Sequence, residues 1–391
     1  MTPSARIATL YFLFFSAGGI SLPFFGGYLK SQGLSGQELG LVLAISPVAA
    51  IVFPPLWGQL ADRTGRPGAI VTVLLAGAAL GHLLLSQVHA FWLLLGAYAV
   101  HAAFGTSITS MLDTLALDAV GGATGAYAGL RRFGSVGFVV TSALFGALVD
   151  TIDWRILAAM IAGFAVSAAF ARLTVWQQRV QRTDGPKASA AEAYALLRRP
   201  AVRWLLAASA LHWIASAPYH GTLSIHVEAL GLGTWVTSGI ASLGVLAEVV
   251  VMSLWPRIGG WLSPRGWLWL SFASSGLRWF LMGTLTSPWA LIALGLMHAL
   301  TFGTFYLSSV GWMSRCAPGS LRATGQTLYV AVTFGIGGLV GYLGSGLGLD
   351  AFGSSALFRV SALAELLPCL ALFLLPPSPE ENSAGAQASG A

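Results

Sequence analysis

The feature that most constrains this chain is a succession of apolar blocks, each about as long as a bilayer is thick. The blocks run near 7–29, 38–60, 69–88, 91–117, 132–150, 155–175, 201–226, 235–256, 267–286, 288–312, 324–346 and 354–375. A helix needs about 20 residues to cross the hydrocarbon core. A transmembrane barrel would instead show short strands of alternating polarity. These blocks are continuously apolar, so the chain reads as an all-α integral membrane protein with twelve transmembrane helices. Its 391 residues are 56% hydrophobic and only 9% charged, where a soluble domain carries roughly 25% charged residues. Lipid is the solvent that such a surface requires. The first block exceeds a signal core of ~7–15 residues, and eleven more follow it, which argues against a cleaved signal.

The few charges set an orientation. With the N-terminus in the cytoplasm, that side collects Arg6, Arg63, Arg66, Arg131, Arg132, Arg172, Arg179, Arg182, Lys187, Arg198, Arg199, Arg203, Arg257, Arg265, Arg315 and Arg322. The other side holds Lys30, Arg155 and Arg359. Cations gather in cytoplasmic loops, so both termini are expected in the cytoplasm. The same distribution explains the pI of 9.6 without nucleic acid as a partner.

The chain also divides. Its longest polar stretch between spans, 176–200, separates six spans from six. The expected parts are an N-terminal half, 1–175; a cytoplasmic central loop, 176–200; a C-terminal half, 201–375; and a disordered cytoplasmic tail, 376–391, small and polar in composition. Shifting the sequence by 198 superposes Gly33-Leu34 on Gly231-Leu232, Ala49 on Ala247, Trp57 on Trp255 and Gly68 on Gly266. Two parallel six-helix repeats around a site at mid-membrane are an architecture of secondary transporters.

Other classes lose support. No Walker A loop, dinucleotide fingerprint or zinc spacing occurs, and no nucleophile, base and orienting acid gather at a recognisable spacing. The expectation is no enzyme, no cofactor and no metal. Cys316 and Cys369 read as packed side chains.

The loop after the second span reads GQLADRTGRPG, Gly58 to Gly68. It resembles the G-x-L-a-D-r-x-G-r signature of the major facilitator superfamily, which implies that family's fold. In that family the loop latches the cytoplasmic ends of the two halves, which gives Gly58, Asp62, Arg63, Gly65 and Arg66 that role here. Gly58 would allow close helix approach, Asp62 would cap a helix or meet a base, and Gly65 would permit a tight turn. The second copy, PRIGGWLSPRG, lacks the acid.

Inside the spans, Asp113, Arg131, Glu248, Arg278 and His298 resemble the constellation of lactose permease and its relatives. The texts RRFGSVGFVVTSALFG, LGVLAEVVV and GLRWFLMG are more similar to bacterial 3-phenylpropionate permeases. Two positions depart from the lactose-permease pattern. Thr301 stands where that group keeps a second acid one turn after the histidine. Phe138 stands where it stacks sugar on tryptophan. The usual proton carrier and a sugar substrate are both put in doubt.

A charge at membrane depth costs at least ~2.5–3.5 kcal/mol, and twelve apolar helices do not need one to fold. Glu248, between Leu246-Ala247 and Val249-Val250, must face the bundle interior. Either it carries protons or it forms a structural ion pair, with Arg278 as the partner in reach. Asp113 and His298 are the other proton-coupling candidates, since imidazole titrates near neutrality. Arg131 and Arg278 are candidates for holding a substrate carboxylate, with Phe138 beside its apolar part. Tyr219 follows Pro218, which should break span seven and open a cavity. His101, His212, His220 and His226 are weaker candidates. Trp267, Trp269 and Trp279 fit an interface belt better than a ligand cage. Gly337, Gly341, Gly344 and Gly348 read as a close-packed stripe compatible with a gate.

The expected function is proton symport of a small organic solute such as an aromatic monocarboxylate, by a multi-pass protein of the bacterial inner membrane acting as a monomer. Proton-antiport export of drugs or metabolites stays open, as does a non-transporting sensor or assembly factor on the same fold.

Overall fold

The computed structural model describes residues 1–121, 124–179, 190–317 and 321–374. Arg182, Lys187, the 180–189 part of the central loop and the tail after 374 lie outside the described residues. Twelve long helices can be traced in what is described. They are α1 (Pro3–Ser31), α2 (Gly36–Thr64), α3 (Pro67–Leu85), α4 (Phe91–Ala119), α5 (Thr124–Leu148), α6 (Trp154–Thr174), α7 (Pro200–Ala229), α8 (Thr234–Ile258), α9 (Pro264–Met282), α10 (Pro288–Cys316), α11 (322–352) and α12 (354–374). Gly353, at φ 72°, separates the last two within one continuous apolar run. α5, α7 and α9 are more polar than the others, because they carry Arg131 and Arg132, His212, His220 and His226, and Arg278.

Local chemistry sets the ends. Ser35 caps α2, accepting from the Glu38 amide while the Glu38 carboxylate takes the Ser35 amide. Gly65 closes α2 in the left-handed region at φ 62°, which only glycine adopts cheaply. The repeat has a backbone signature: Gly33 and Gly231, matched by the shift of 198, turn at φ 84° and 71°. The stretch expected as a polar linker holds a short helix, Ala190–Leu197, whose Leu196 is buried in the apolar core of the C-terminal helices.

Pro218 does not break α7. The helix runs through it, because proline removes one backbone bond, that to the Ile214 carbonyl, and one such loss is tolerated in a packed membrane helix. A Cβ on Gly341 of α11 would lie 3.2 Å from that carbonyl oxygen, so a close neighbour covers the freed group. Gly337 and Gly341 both seat α11 on α7, while Gly344 faces open space.

The two six-helix halves meet at the end remote from both termini. A Cβ on Gly26 of α1 would sit 2.0 Å from the Gly221 carbonyl oxygen of α7, and one on Gly346 of α11 would sit 2.2 Å from that of Gly36. The Gly27 amide donates to Ser224 (3.1 Å), and Thr234 at the start of α8 donates to the Gly146 carbonyl at the end of α5 (3.2 Å). Asp350 accepts from the first two amides of α2, those of Gly36 and Gln37, at 2.7 and 2.8 Å. Toward the other end, Asp62, Arg63 and Arg66 are exposed, and a Cβ on Gly58 would meet nothing within 4 Å. The interior therefore opens toward the end that carries the termini.

This geometry is testable at Gly26. Gly26→Val has no room against Gly221 and should pry the closed end apart. Ser238→Cys, 3% exposed in the parent, should then react with a water-soluble maleimide from that side in the Gly26→Val background and stay protected without it. Protection in both backgrounds would show that the glycine contact does not hold this end shut.

Candidate functional site

The C-terminal half contains a buried arginine with no acid against it. Arg278, on α9, is 0% exposed. Its Nη1 donates to the Thr301 hydroxyl at 2.9 Å and to His298 Nδ1 at 3.3 Å. Its Nε and Nη2 donors have no hydrogen-bond partner. The guanidinium carbon sits 4.3 Å from the Tyr219 ring centre and 4.9 Å from the ring of Trp279. Aromatic faces attract a cation, by as much as ~2 kcal/mol when water is excluded, but they do not accept N–H bonds as oxygen does.

The expected Glu248–Arg278 pair is not formed. Glu248 Oε2 lies 3.3 Å from His298 Nε2, so the histidine stands between acid and base. Arg278 can only donate, so His298 Nδ1 accepts, and the ring proton sits on Nε2, aimed at Glu248. The result is a directed chain from Arg278 through His298 to Glu248. Helical distortion presents it: α10 passes from a 3-10 turn, Gly295–Met297, into a π turn, Ala299–Thr304, on either side of His298. Such wide turns often occur at functional sites. Gly244 of α8 lies next to His298, whose Cβ would be 3.2 Å from a Cβ added there.

A narrow cleft of about 10 Å³, room for about one water in this conformation, touches this group. Its lining includes Trp213, Tyr219, His220, Arg278, Trp279, His298, Thr301 and Phe302. Phe302 stacks on His298 with ring centres 5.2 Å apart, and Trp213 meets Phe334 at 4.6 Å. An anionic group at Arg278 would therefore have an apolar, aromatic neighbourhood beside it.

Asp113 and Arg131 form a second group in the N-terminal half. Asp113 accepts from the Tyr11 hydroxyl at 2.5 Å and faces Arg131 at 3.5 Å, while Arg131 donates to Tyr127 at 2.8 Å. These side chains are a quarter and a half exposed, and the arginine already has its acid. Phe138 joins neither group. Its ring and carbonyl lie against Gly18 and Gly19 of α1, so it packs α5 onto α1 and does not line the cleft at Arg278.

Among the latch candidates, Gly65 makes the tight turn. Gly58 makes no close approach in this conformation; Gly68 does, where a Cβ would lie 1.8 Å from the Val175 carbonyl oxygen. No hydrogen bond or ion pair of Asp62 is found among the described residues. Cys316 and Cys369 are both buried and free.

Two features escaped the sequence reading. Trp279 is no belt residue: it is 2% exposed and lies against Tyr219, ring centres 5.3 Å apart and the planes tilted by 33°. Trp267 is also buried, its indole bonded to the Gly259 carbonyl. Glu365 of α12, 2% exposed, accepts from Trp279 Nε1 at 3.1 Å and faces His212 Nδ1 at 3.0 Å. Its signal was available: an isolated acid within SALAELLPCL.

A helical bundle of two halves with polar groups at its heart is an architecture of membrane transporters. The chain belongs to the MFS_1-like family of major facilitator transporters, which it matches over residues 4–360. It is 30% identical over 371 residues to a probable 3-phenylpropionic acid transporter of Escherichia coli (strain K12), covering 87% of this chain and 92% of that one. It is 27% identical over 383 residues to a maltose permease of Geobacillus stearothermophilus, covering 96% and 94%. The nucleoside transporter NupG (D323A mutant) superposes with a TM-score of 0.87 at 15% identity, over 96% of this chain and all of that one, which shows the shared fold. The protein is thus a multi-pass inner-membrane transporter of a small molecule rather than an enzyme.

The unpaired charge makes a prediction about stability. Thr301→Asp is nearly isosteric and places a carboxylate within reach of Arg278. It should raise stability by roughly 1.5–3 kcal/mol, the range for a charge-assisted bond, and abolish transport by occupying the guanidinium. The thermal unfolding midpoint of the purified variant checks this. A lowered midpoint with transport intact would mean that Arg278 is already satisfied.

Proposed function

We propose that the protein imports a small aromatic monocarboxylate, of the 3-phenylpropionate kind, in symport with protons, acting as a monomer. Both termini face the cytoplasm in this reading, so the opening at their end makes the conformation inward-facing. The halves are 1–175 and 201–375, joined by a cytoplasmic loop at 176–200.

The observation that carries the reading is Arg278, buried among rings with two donor nitrogens, Nε and Nη2, unused. A carboxylate is the ligand whose two oxygens match a guanidinium fork, and an aryl group is what the surrounding rings accept. Arg131 fits this role less well, since Asp113 already neutralises it. The Escherichia coli relative, whose name gives 3-phenylpropionic acid as its substrate, supports the same class. Phe138 supports the site through the α1–α5 contact rather than by touching substrate.

Coupling follows from the directed chain. When a carboxylate binds the free Nε and Nη2 donors of Arg278, the guanidinium is drawn toward it, its Nη1 bond to His298 weakens and Nδ1 becomes free to accept a proton. The imidazolium so formed is held by Glu248. Substrate binding thus promotes proton binding with no acid at position 301. Asp113 and Arg131 lie near the inward opening, where they would exchange protons with water as the halves rock. The latch formed by Gly58, Asp62, Arg63, Gly65 and Arg66 is disengaged here and would engage when the cytoplasmic end closes. A ligand shifts such a balance only through its differential affinity for the two states.

Glu248→Gln tests the coupling. In reconstituted vesicles the variant should still exchange labelled 3-phenylpropionate across the membrane and fail at uphill accumulation driven by a pH gradient. Normal accumulation would eliminate Glu248 as part of the proton path. Loss of exchange and accumulation together would reduce it to a structural partner of His298.

A further inference from the structure

The clamp around Arg278 has an anchor on a helix that does not reach the cleft. Glu365 sits on α12, where Pro368 removes the backbone bond to Ala364 and the helix loosens at that point. Gly276, two residues before the arginine on α9, lets α12 close in: a Cβ there would lie 3.6 Å from that of Glu365. The carboxylate is spent entirely on neighbours. One oxygen takes the indole N–H of Trp279, the other faces His212, and the Ser216 hydroxyl is a further partner. His212 is itself wedged between Phe272 and Phe305, at 5.0 and 4.4 Å between ring centres. Glu365 is absent from the residues that line the cleft, whereas its partners Trp279, His212 and Ser216 are among them.

An indole needs only one acceptor, and a backbone carbonyl suffices for Trp267 on the same helix, at 2.9 Å. A fully buried carboxylate is a costly way to provide one. What it adds is stiffness: the carboxyl group is tied at both oxygens, one to Trp279 and the other to His212, so the acceptor is itself held in place. The indole so held is one of the two rings stacked on the guanidinium. We infer that Glu365 is a positioning residue for the substrate's carboxylate subsite: through Trp279, and backed by His212, it fixes the ring that aims Arg278. The inference rests on the reading that Arg278 binds a carboxylate.

If Trp279 swings, Arg278 gains rotational freedom and the fork no longer meets both oxygens at once. Affinity falls, while the helices that move during turnover are untouched. Initial rates of exchange of labelled 3-phenylpropionate, in vesicles containing the full-length protein, read both quantities. Glu365→Leu should raise KM about tenfold, the worth of one good hydrogen bond, with the maximal rate per folded molecule little changed. Trp279→Phe, which keeps the ring and loses the N–H, should do the same. The double variant should be no worse than either single one, because both cut the same link. Glu365→Gln, which keeps a carbonyl oxygen for the indole, should recover most of the loss.

A structural role would lower the folded amount without moving KM, and that result overturns the proposal. So do additive effects in the double variant, or a Gln variant that exchanges but cannot accumulate, which would make Glu365 a proton carrier instead. Arg278→Gln is measured alongside. If it loses saturable exchange while Glu365→Leu keeps the parent KM, only the positioning role fails. If it exchanges normally, the carboxylate subsite itself is wrong and the positioning role falls with it.

Discussion

A guanidinium shut inside an apolar bundle without a counter-charge organises the C-terminal half of this protein. The membrane charges at least ~2.5–3.5 kcal/mol for such a group, and Arg278 is compensated only in part. Two rings lie on its faces, and one of its nitrogens has a threonine and a histidine as acceptors. Acids stand one residue further out on either side, Glu248 behind His298 and Glu365 behind Trp279. The cation is thus shielded by groups that soften its field without occupying its fork. This leaves two donor nitrogens for an anion, and binding there would be felt at His298. A direct Glu248–Arg278 pair would have been more stable and would have competed with the substrate for the same donors.

In the proposed transport cycle the rest of the fold would expose this group to one side of the membrane at a time. The halves touch through glycines at the end remote from the termini, where backbones approach to distances no Cβ allows. Contacts made of small residues and a few hydrogen bonds hold while they are formed and cost little to separate. The same end carries the Asp350 carboxylate against the first amides of α2, where the helix dipole favours negative charge.

Much of this was legible in the sequence, and the parts that were not share a cause. Apolar blocks give the depth of each residue along its helix, so the twelve spans and the turns at Gly33 and Gly231 could be placed. They do not give azimuth. In a helix apolar all round, the faces toward lipid and toward the cleft look alike, so Trp279 near the end of α9 read as an interface residue although it points inward. The resemblance that puts Phe138 beside the substrate carries no azimuth either, and α5 turns this residue toward α1. Which acid meets which base depends on azimuth as well, hence Glu248 on His298 rather than on Arg278. Pro218 read as a break because the neighbour that covers the Ile214 carbonyl, Gly341, lies more than a hundred residues away along the chain.

The central claim is that Arg278 holds a carboxylate, and a neutral isostere addresses it most directly. 3-Phenylpropanamide has the ring and nearly the shape of 3-phenylpropionate but no charge. Calorimetric binding of both compounds to the purified protein and to its Arg278→Gln variant gives four affinities. The account expects the protein to prefer the acid by about a hundredfold, in the range of a charge-assisted bidentate contact, and the variant to lose that preference while still binding the amide. An undiminished preference for the acid in the variant would contradict the account and move the anion site elsewhere, with Arg131 the first place to look.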